Sequence, residues 1–271
     1  MKRKFFAYPY IVWMILFIAV PMLFIFYYAF NVDGTWTTER FLSTISDKDT
    51  WSVLWRSIVM AFETTAICLL LGYPIAYILS NMKKSVAGFI SILFFVPMWM
   101  NFVLRTYAWS AIIEYAIPDL FHVENTLTDL PGGKTIAVLL VMVYDFLPFM
   151  IMPLYNTLSK MDKSLIEASR DLGADGLTTF LRVVLPLSVP GIVSGITMVF
   201  VPSITAFTVP ELIGNGDYSL YGNKIEQAFK SGNISGYSVG STLSIVLLIL
   251  VIISTVIMNR FDKDKEGGSI L

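Results

Sequence analysis

Cysteine and histidine are nearly missing from this sequence: Cys68 and His122 are the single examples in 271 residues. One thiol forbids an intrachain disulfide, and two such residues are too few for the usual histidine and cysteine metal sites. Charge is scarce as well. Lys, Arg, Asp and Glu make up 14% of the chain against 56% hydrophobic residues, where an average soluble domain is about 25% charged. So few ionisable groups cannot cover a water-facing surface of this size, which excludes a cytosolic enzyme. The apolar excess excludes intrinsic disorder. A net charge of -1 offers neither a nucleic-acid surface nor a polybasic membrane tether.

The sequence is rich instead in long apolar runs, with a mean hydropathy of +0.70. Six of them, at 8–30, 57–79, 86–113, 135–155, 190–211 and 239–258, approach or exceed the roughly 20 residues a helix needs to cross hydrocarbon. They predict an all-α integral membrane protein with a single transmembrane domain over residues 1–271. The first run follows Met1-Lys2-Arg3-Lys4 and ends in Phe26, Tyr27, Tyr28 and Phe30, an aromatic group of the kind found at membrane interfaces. It is too long for a signal-peptide core and reads as a retained helix. The third run holds Pro97 and Arg105 and has the length to bend. The fifth, with Pro202 and Pro210, is expected to be the most broken.

Basic residues set the expected orientation. With the N-terminus cytoplasmic, Lys2, Arg3, Lys4, Lys83, Lys84, Lys160, Lys163, Arg170, Arg182, Arg260, Lys263 and Lys265 all face inward. Only Arg40, Lys48, Arg56, Lys134, Lys224 and Lys230 face outward. This asymmetry puts both termini inside, as an even helix count requires. The outer loops are then 31–56, 114–134 and 212–238, the last with an amphipathic piece at Lys224–Phe229; His122 reads as solvated in the second of them.

The loop over 160–185 is patterned. Ser164 and Glu167 have capping-box spacing, so a helix is expected to begin there. Leu165, Ala168 or Ser169, and Leu172 recur at helical spacing. Gly173 then ends the helix in a left-handed turn. Asp175 starts a second short helix, which Pro186 is expected to stop. By helix pattern alone this is equally an ordinary solvated connector.

A resemblance separates the two readings. Glu167-Ala168-Ser169, three residues, Gly173, nine residues, Val183, one residue, then Leu185-Pro186 resembles the signature loop of binding-protein-dependent ABC importer permeases. Ser169 and Val183 stand where that pattern has alanine and isoleucine. Further stretches are similar to the PotB-like first permease subunits of spermidine/putrescine importers, among them Leu71-Gly72-Tyr73-Pro74, Val96 through Asn101, Leu104 through Tyr107, Leu147 through Tyr155, and Glu167 through Ile192. The resemblance implies a six-helix type I importer permease fold, a homologous second permease, two ATPase subunits and an external substrate-binding protein. It also implies that Glu167, Ala168, Ser169, Asp171, Leu172 and Gly173 form a cytoplasmic coupling helix that docks on the ATPase, with Leu185 and Pro186 closing the loop. ATP and Mg would be bound by the partner ATPase subunits. The nearest local look-alike, Gly132-Gly133-Lys134-Thr135, has Thr128 where a P-loop needs glycine.

Three ionisable residues, Glu63, Arg105 and Asp145, fall in or at the expected spans. A charge at mid-bilayer costs about 2.5–3.5 kcal/mol on insertion scales, so each calls for a partner or an aqueous path. Arg105 either pairs with Asp145 or Glu63 or snorkels outward. For the polyamine cargo that the resemblance implies, recognition needs carboxylates and aromatic faces. Glu63, Asp145 and Glu211 supply the first, and Trp99, Tyr107 and Trp109 the second, although lipid-belt packing accounts for the aromatic residues equally well. Three alternatives stay open: a permease for another small organic solute, a membrane-embedded enzyme, and a channel. Against an enzyme, the acidic row Glu167, Asp171 and Asp175 is interrupted at Gly173.

Overall fold

A computed structural model describes residues 8–266 apart from 33, 123 and 124. The basic start Lys2-Arg3-Lys4 lies outside the described residues, as do the side chains of Lys263 and Lys265. Helix α1, Pro9–Phe30, leads into a small antiparallel hairpin of β1 (Asn31–Val32) and β2 (Thr35–Trp36), with Asn31 opposite Trp36. Then come α2 (Glu39–Ser46), α3 (Lys48–Asn81), α4 (Lys84–Trp99), α5 (Phe102–Leu120), α6 (Gly133–Ser159) and α7 (Lys163–Asp171). The chain closes with α8 (Gly176–Ile204), α9 (Thr208–Ile213), α10 (Tyr221–Lys230) and α11 (Ile234–Glu266). Among the described residues, five helices are long and apolar enough to cross a bilayer, and α4 with α5 supplies a sixth if that bent pair is one span.

Helices α3, α6 and α8 form the centre, each packed on the other two. Met60, Cys68 and Ala76 from α3 meet Val138, Met142, Met150 and Leu154 from α6, with Val184 and Val199 from α8. Close approach of α8 to α6 depends on two glycines. A Cβ on Gly191 would lie 2.7 Å from Thr157 Oγ1, and one on Gly195 would lie 2.6 Å from Met150 Sδ. Small residues let helices approach in this way where no hydrophobic force distinguishes lipid from leucine. A second cluster joins Val53, Leu54 and Ala61 to Ile204, Tyr221 and Leu243. No residue in the most apolar stretch of α1 is buried. The C-terminal half of that helix leans on α11, with the rings of Tyr28 and Tyr237 at 5.7 Å.

The break in the apolar helices falls in the third span, at Pro97, and not in the fifth. The fifth span, expected at 190–211, is continuous from Gly176 through Pro190 and Pro202 to Ile204. Nor does Pro186 stop a short helix. It follows a π turn, Phe180–Val184, in which Leu185 N–H reaches back to Phe180 O, and this wider turn takes up a residue that lacks an N–H. Beyond Thr205–Phe207, Pro210 belongs to the separate helix α9. The third span is the one that breaks, with an 87° bend between α4 and α5. Val96–Trp99 tightens to a 3₁₀ turn with Pro97 in it, Met100 and Asn101 are extended, and Asn101 Oδ1 accepts from Val103 and Leu104 N–H at 2.9 and 3.3 Å to begin α5.

Candidate functional site

The segment joining α6 to α8 is a capped helix at one end of the bundle, with none of its residues fully buried. Its cap is Asp162, whose carboxylate accepts from Ser164 N–H at 2.9 Å; the cap expected at Ser164 sits two residues earlier. Both residues suit the position, and the extended backbone at Asp162 decides between them. At the other end Gly173 has φ +85°, Gly173 N–H donates to Arg170 O at 2.8 Å and Ala174 N–H to Ser169 O at 3.1 Å, which is a Schellman closure. Asp175 Oδ1 accepts from Thr178 N–H at 3.0 Å and starts α8. The backbone N–H bond from Ser164 holds the Asp162 carboxyl below the usual carboxylate range, and the bonds from Thr178 do the same for Asp175.

Of the residues expected to act here, Glu167, Ala168, Asp171, Leu172 and Gly173 are exposed and Ser169 is half-buried, its hydroxyl 3.2 Å from that of Thr179. Leu172 is 90% exposed, an unusual presentation for a large apolar side chain on a short helix. Leu165 is exposed too, so the apolar row read from the sequence faces away from the bundle, and the inward anchor is its neighbour Ile166. A groove of about 630 Å³ runs between Leu165, Leu172, Asp175 and Arg182. Leu185 is half-buried and Pro186 exposed at the base of α8. The segment is seated through Phe180, whose ring stands edge-on to those of Tyr73 and Tyr77 at 5.6 and 5.9 Å. Sequence reading missed this seat, because aromatic residues more than a hundred positions apart carry no local periodicity.

Inside the apolar bundle, Arg105 on α5 meets Asp145 on α6, with Nε 2.7 Å from Oδ1 and side-chain exposures of 7% and 1%. The second carboxylate oxygen of Asp145, Oδ2, has no hydrogen-bond partner among the described residues. Arg105 also donates from Nη1 to Pro97 O at 3.0 Å, across the bend, and lies over the rings of Phe102 and Tyr144 at 5.5 and 5.9 Å. Of the pairings open in the sequence, the structure makes Arg105–Asp145. Glu63 is half-buried on α3, away from this pair's polar contacts. Glu211, half-buried on α9, accepts from Asn223 Nδ2 at 3.1 Å. Trp99 is 81% exposed beside the bend, and Tyr107 is exposed on α5. The aromatic faces over the Arg105 guanidinium are those of Phe102 and Tyr144. The three-residue spacing of Phe102 and Arg105 on one helix face was the available signal. Among the described residues, no group of three or more His, Cys, Asp or Glu side chains is placed to hold a metal ion.

An all-α bundle with this many bilayer-length helices, a buried charge pair between two of its helices and a capped helix at one end marks a multi-span membrane protein. Residues 69–266 match the family described as binding-protein-dependent transport system inner membrane component, and the chain belongs to it: it is a permease subunit of the ABC importer class. It is 33% identical over 261 residues to the spermidine/putrescine transport system permease protein PotB of Escherichia coli K12, covering 88% of this chain and 90% of that one. The PotB of Haemophilus influenzae is 32% identical over 266 residues, covering 93% and 91%. The inner membrane ABC transporter permease protein YdcU of Escherichia coli K12 is 30% identical, covering 78% and 73%. A crystal structure of a bacterial ABC transporter involved in the import of the acidic polysaccharide alginate superposes with a TM-score of 0.73 at 13% identity, covering 96% of each chain. That likeness gives the fold, that of type I importer permeases.

Proposed function

We propose that this chain is one of two homologous permease subunits of an ATP-driven importer of polyamines, spermidine and putrescine being the solutes. The observation that carries the reading is the 33% identity to a spermidine/putrescine permease over 88% of the chain. In this reading residues 1–271 are a single transmembrane domain in the cell membrane with both termini cytoplasmic, an external binding protein delivers the solute, and two ATPase subunits bind ATP and Mg²⁺. The exposed helix Lys163–Asp171 and the turn at Gly173 are the coupling element. Leu165 and Leu172, presented outward, enter the ATPase cleft, Glu167 and Asp171 give it charge register, and the small Ala168 and Ser169 permit close approach. The edge-on seat of Phe180 against Tyr73 and Tyr77 passes the push into the bundle. Glu63, Trp99, Tyr107, Asp145 and Glu211 are assigned to the solute path.

The test is purification from native membrane in mild detergent with mass spectrometry of everything retained, followed by uptake in proteoliposomes. Recovery of an ATPase and a second permease, with ATP-dependent uptake of labelled spermidine or putrescine, is the expected result. An assembled complex that hydrolyses ATP yet accumulates neither polyamine overturns the cargo and leaves the permease. Recovery of the chain alone under several gentle detergents overturns the assembly.

A further inference from the structure

The buried carboxylate of Asp145 is under-satisfied. Its Oδ1 is held by Arg105 Nε at 2.7 Å, while Oδ2 has no hydrogen-bond partner among the described residues. The guanidinium, by contrast, has alternatives within its own hairpin: Pro97 O at 3.0 Å from Nη1 and the face of Phe102 at 5.5 Å. The anion thus depends on the cation more than the cation depends on the anion. We infer that Arg105 is a resident counter-ion of Asp145 that a substrate ammonium displaces in transit, the carboxylate and the face of Tyr144 forming an organic-ammonium site that is masked at rest. The inference deepens the polyamine reading above and rests on it.

Three physical points carry it. A bare carboxylate in a low-dielectric interior is strongly disfavoured, so a carboxylate that takes part in cation transport needs a cation on it both before and after passage. Exchanging one cation for another satisfies that at every stage. Guanidinium and ammonium are both held by a carboxylate and by aromatic faces, so the site that stores the first accepts the second. The displaced guanidinium also has a place to go. The 87° bend leaves a carbonyl at Pro97 already bonded to Nη1, so a side-chain rotation about that contact releases Asp145 while α5 stays in place.

The test uses the assembled complex in proteoliposomes. Phenylglyoxal, which reacts with water-accessible guanidinium groups, is pulsed during ATP turnover with the binding protein present, with and without spermidine, and adducts at Arg105 are read by mass spectrometry. Labelling that rises only with spermidine is the expected result. Equal labelling with and without spermidine, or no labelling while uptake proceeds, overturns the exchange. A second arm uses the neutral pair Arg105→Gln with Asp145→Asn, which removes both charges together. Its assembled complex is expected to lose spermidine uptake by about tenfold or more, the scale of coupling for close charge pairs; uptake at the wild-type level marks the pair as structural and overturns the proposal. If the pair of substitutions prevents assembly, the labelling decides. Wild-type complex that takes up no polyamine overturns the cargo reading itself, and the exchange falls with it.

Discussion

The hydroxyls of Tyr73 and Ser188 lie 2.8 Å apart in the buried interior, joining α3 to the base of α8. Ser188 also donates to Leu185 O at 2.8 Å when its proton points that way, and the Tyr73 ring is one of the two that seat Phe180. One tyrosine thus holds both the helix that leaves the capped segment and the aromatic side chain that roots it.

Replacing Tyr73 with Phe keeps that ring contact and removes the hydroxyl. The expected loss is about 1 kcal/mol, the net value of a buried hydrogen bond. It is read as a small downward shift in the thermal melting of the purified complex. ATP-dependent uptake is expected to fall less than after Tyr73→Ala, which also empties the seat of Phe180. Equal losses in the two variants would assign the effect to the hydrogen bond alone.

At Gly173 an added Cβ meets nothing within 4 Å, so the constraint is the backbone φ of +85°. A left-handed residue costs roughly 1–2 kcal/mol for most L side chains, while Asn visits that region readily. Gly173→Val is therefore expected to leave membrane insertion intact while uncoupling ATP hydrolysis from uptake, and Gly173→Asn to keep most of the coupling. Equal uptake by the two variants would remove the left-handed turn from the coupling argument.

The two glycines on α8 differ in what a methyl group would strike. At Gly191 it meets Thr157 Cβ at 2.8 Å and Pro153 O at 3.0 Å, neither free to retreat; at Gly195 the close atom is the flexible end of Met150. Gly191→Ala is expected to destabilise the bundle by about 1–3 kcal/mol, the usual range for overpacking. Gly195→Ala is expected to cost less, because Met150 can swing aside. Melting temperatures of the two variants in one detergent check the order.

The caps at Asp162 and Asp175 make the segment acid-sensitive. Both carboxyls are held below their ordinary value by N–H donors, so the folded segment prefers them ionised. Their contribution is complete above the unfolded pKa of about 3.9 and is lost as pH falls through the lower folded values. Amide protection at Ser164 and Thr178, taken relative to the intrinsic exchange rate at each pH, is expected to fall only at the acid end, below about pH 4. Asp162→Ala is expected to show the Ser164 effect already at pH 7, with Thr178 unchanged.

The apolar runs, the left-handed turn at Gly173 and the helix start at Asp175 were legible in the sequence, because each rests on chemistry local to a few residues. That the third run could bend was legible too; that the fifth would stay continuous was not. Pro97 and Pro202 look alike in a sequence, and only the surrounding backbone decides that one sits in a turn before an 87° bend while the other rides inside a continuous helix. Arg105 had two acidic partners on offer, Glu63 and Asp145, and forty residues separate it from the one it meets. The Phe180 seat depends likewise on contact between elements distant in the chain.

Between Gly176 and Ile204 the chain is one helix of 29 residues, about 43 Å at 1.5 Å per residue. Below it stands the turn at Gly173; above it stand the three residues Thr205–Phe207, against which Gly222 packs so closely that a Cβ there would lie 2.7 Å from Thr205 O. The π turn of this helix, Phe180–Val184, lies near its start beside the seat of Phe180, and from Leu185 to Ile204 the helix is continuous. In the coupling reading proposed above, a displacement at the capped segment would arrive at the other end of this helix as a lean, with no loop between the two.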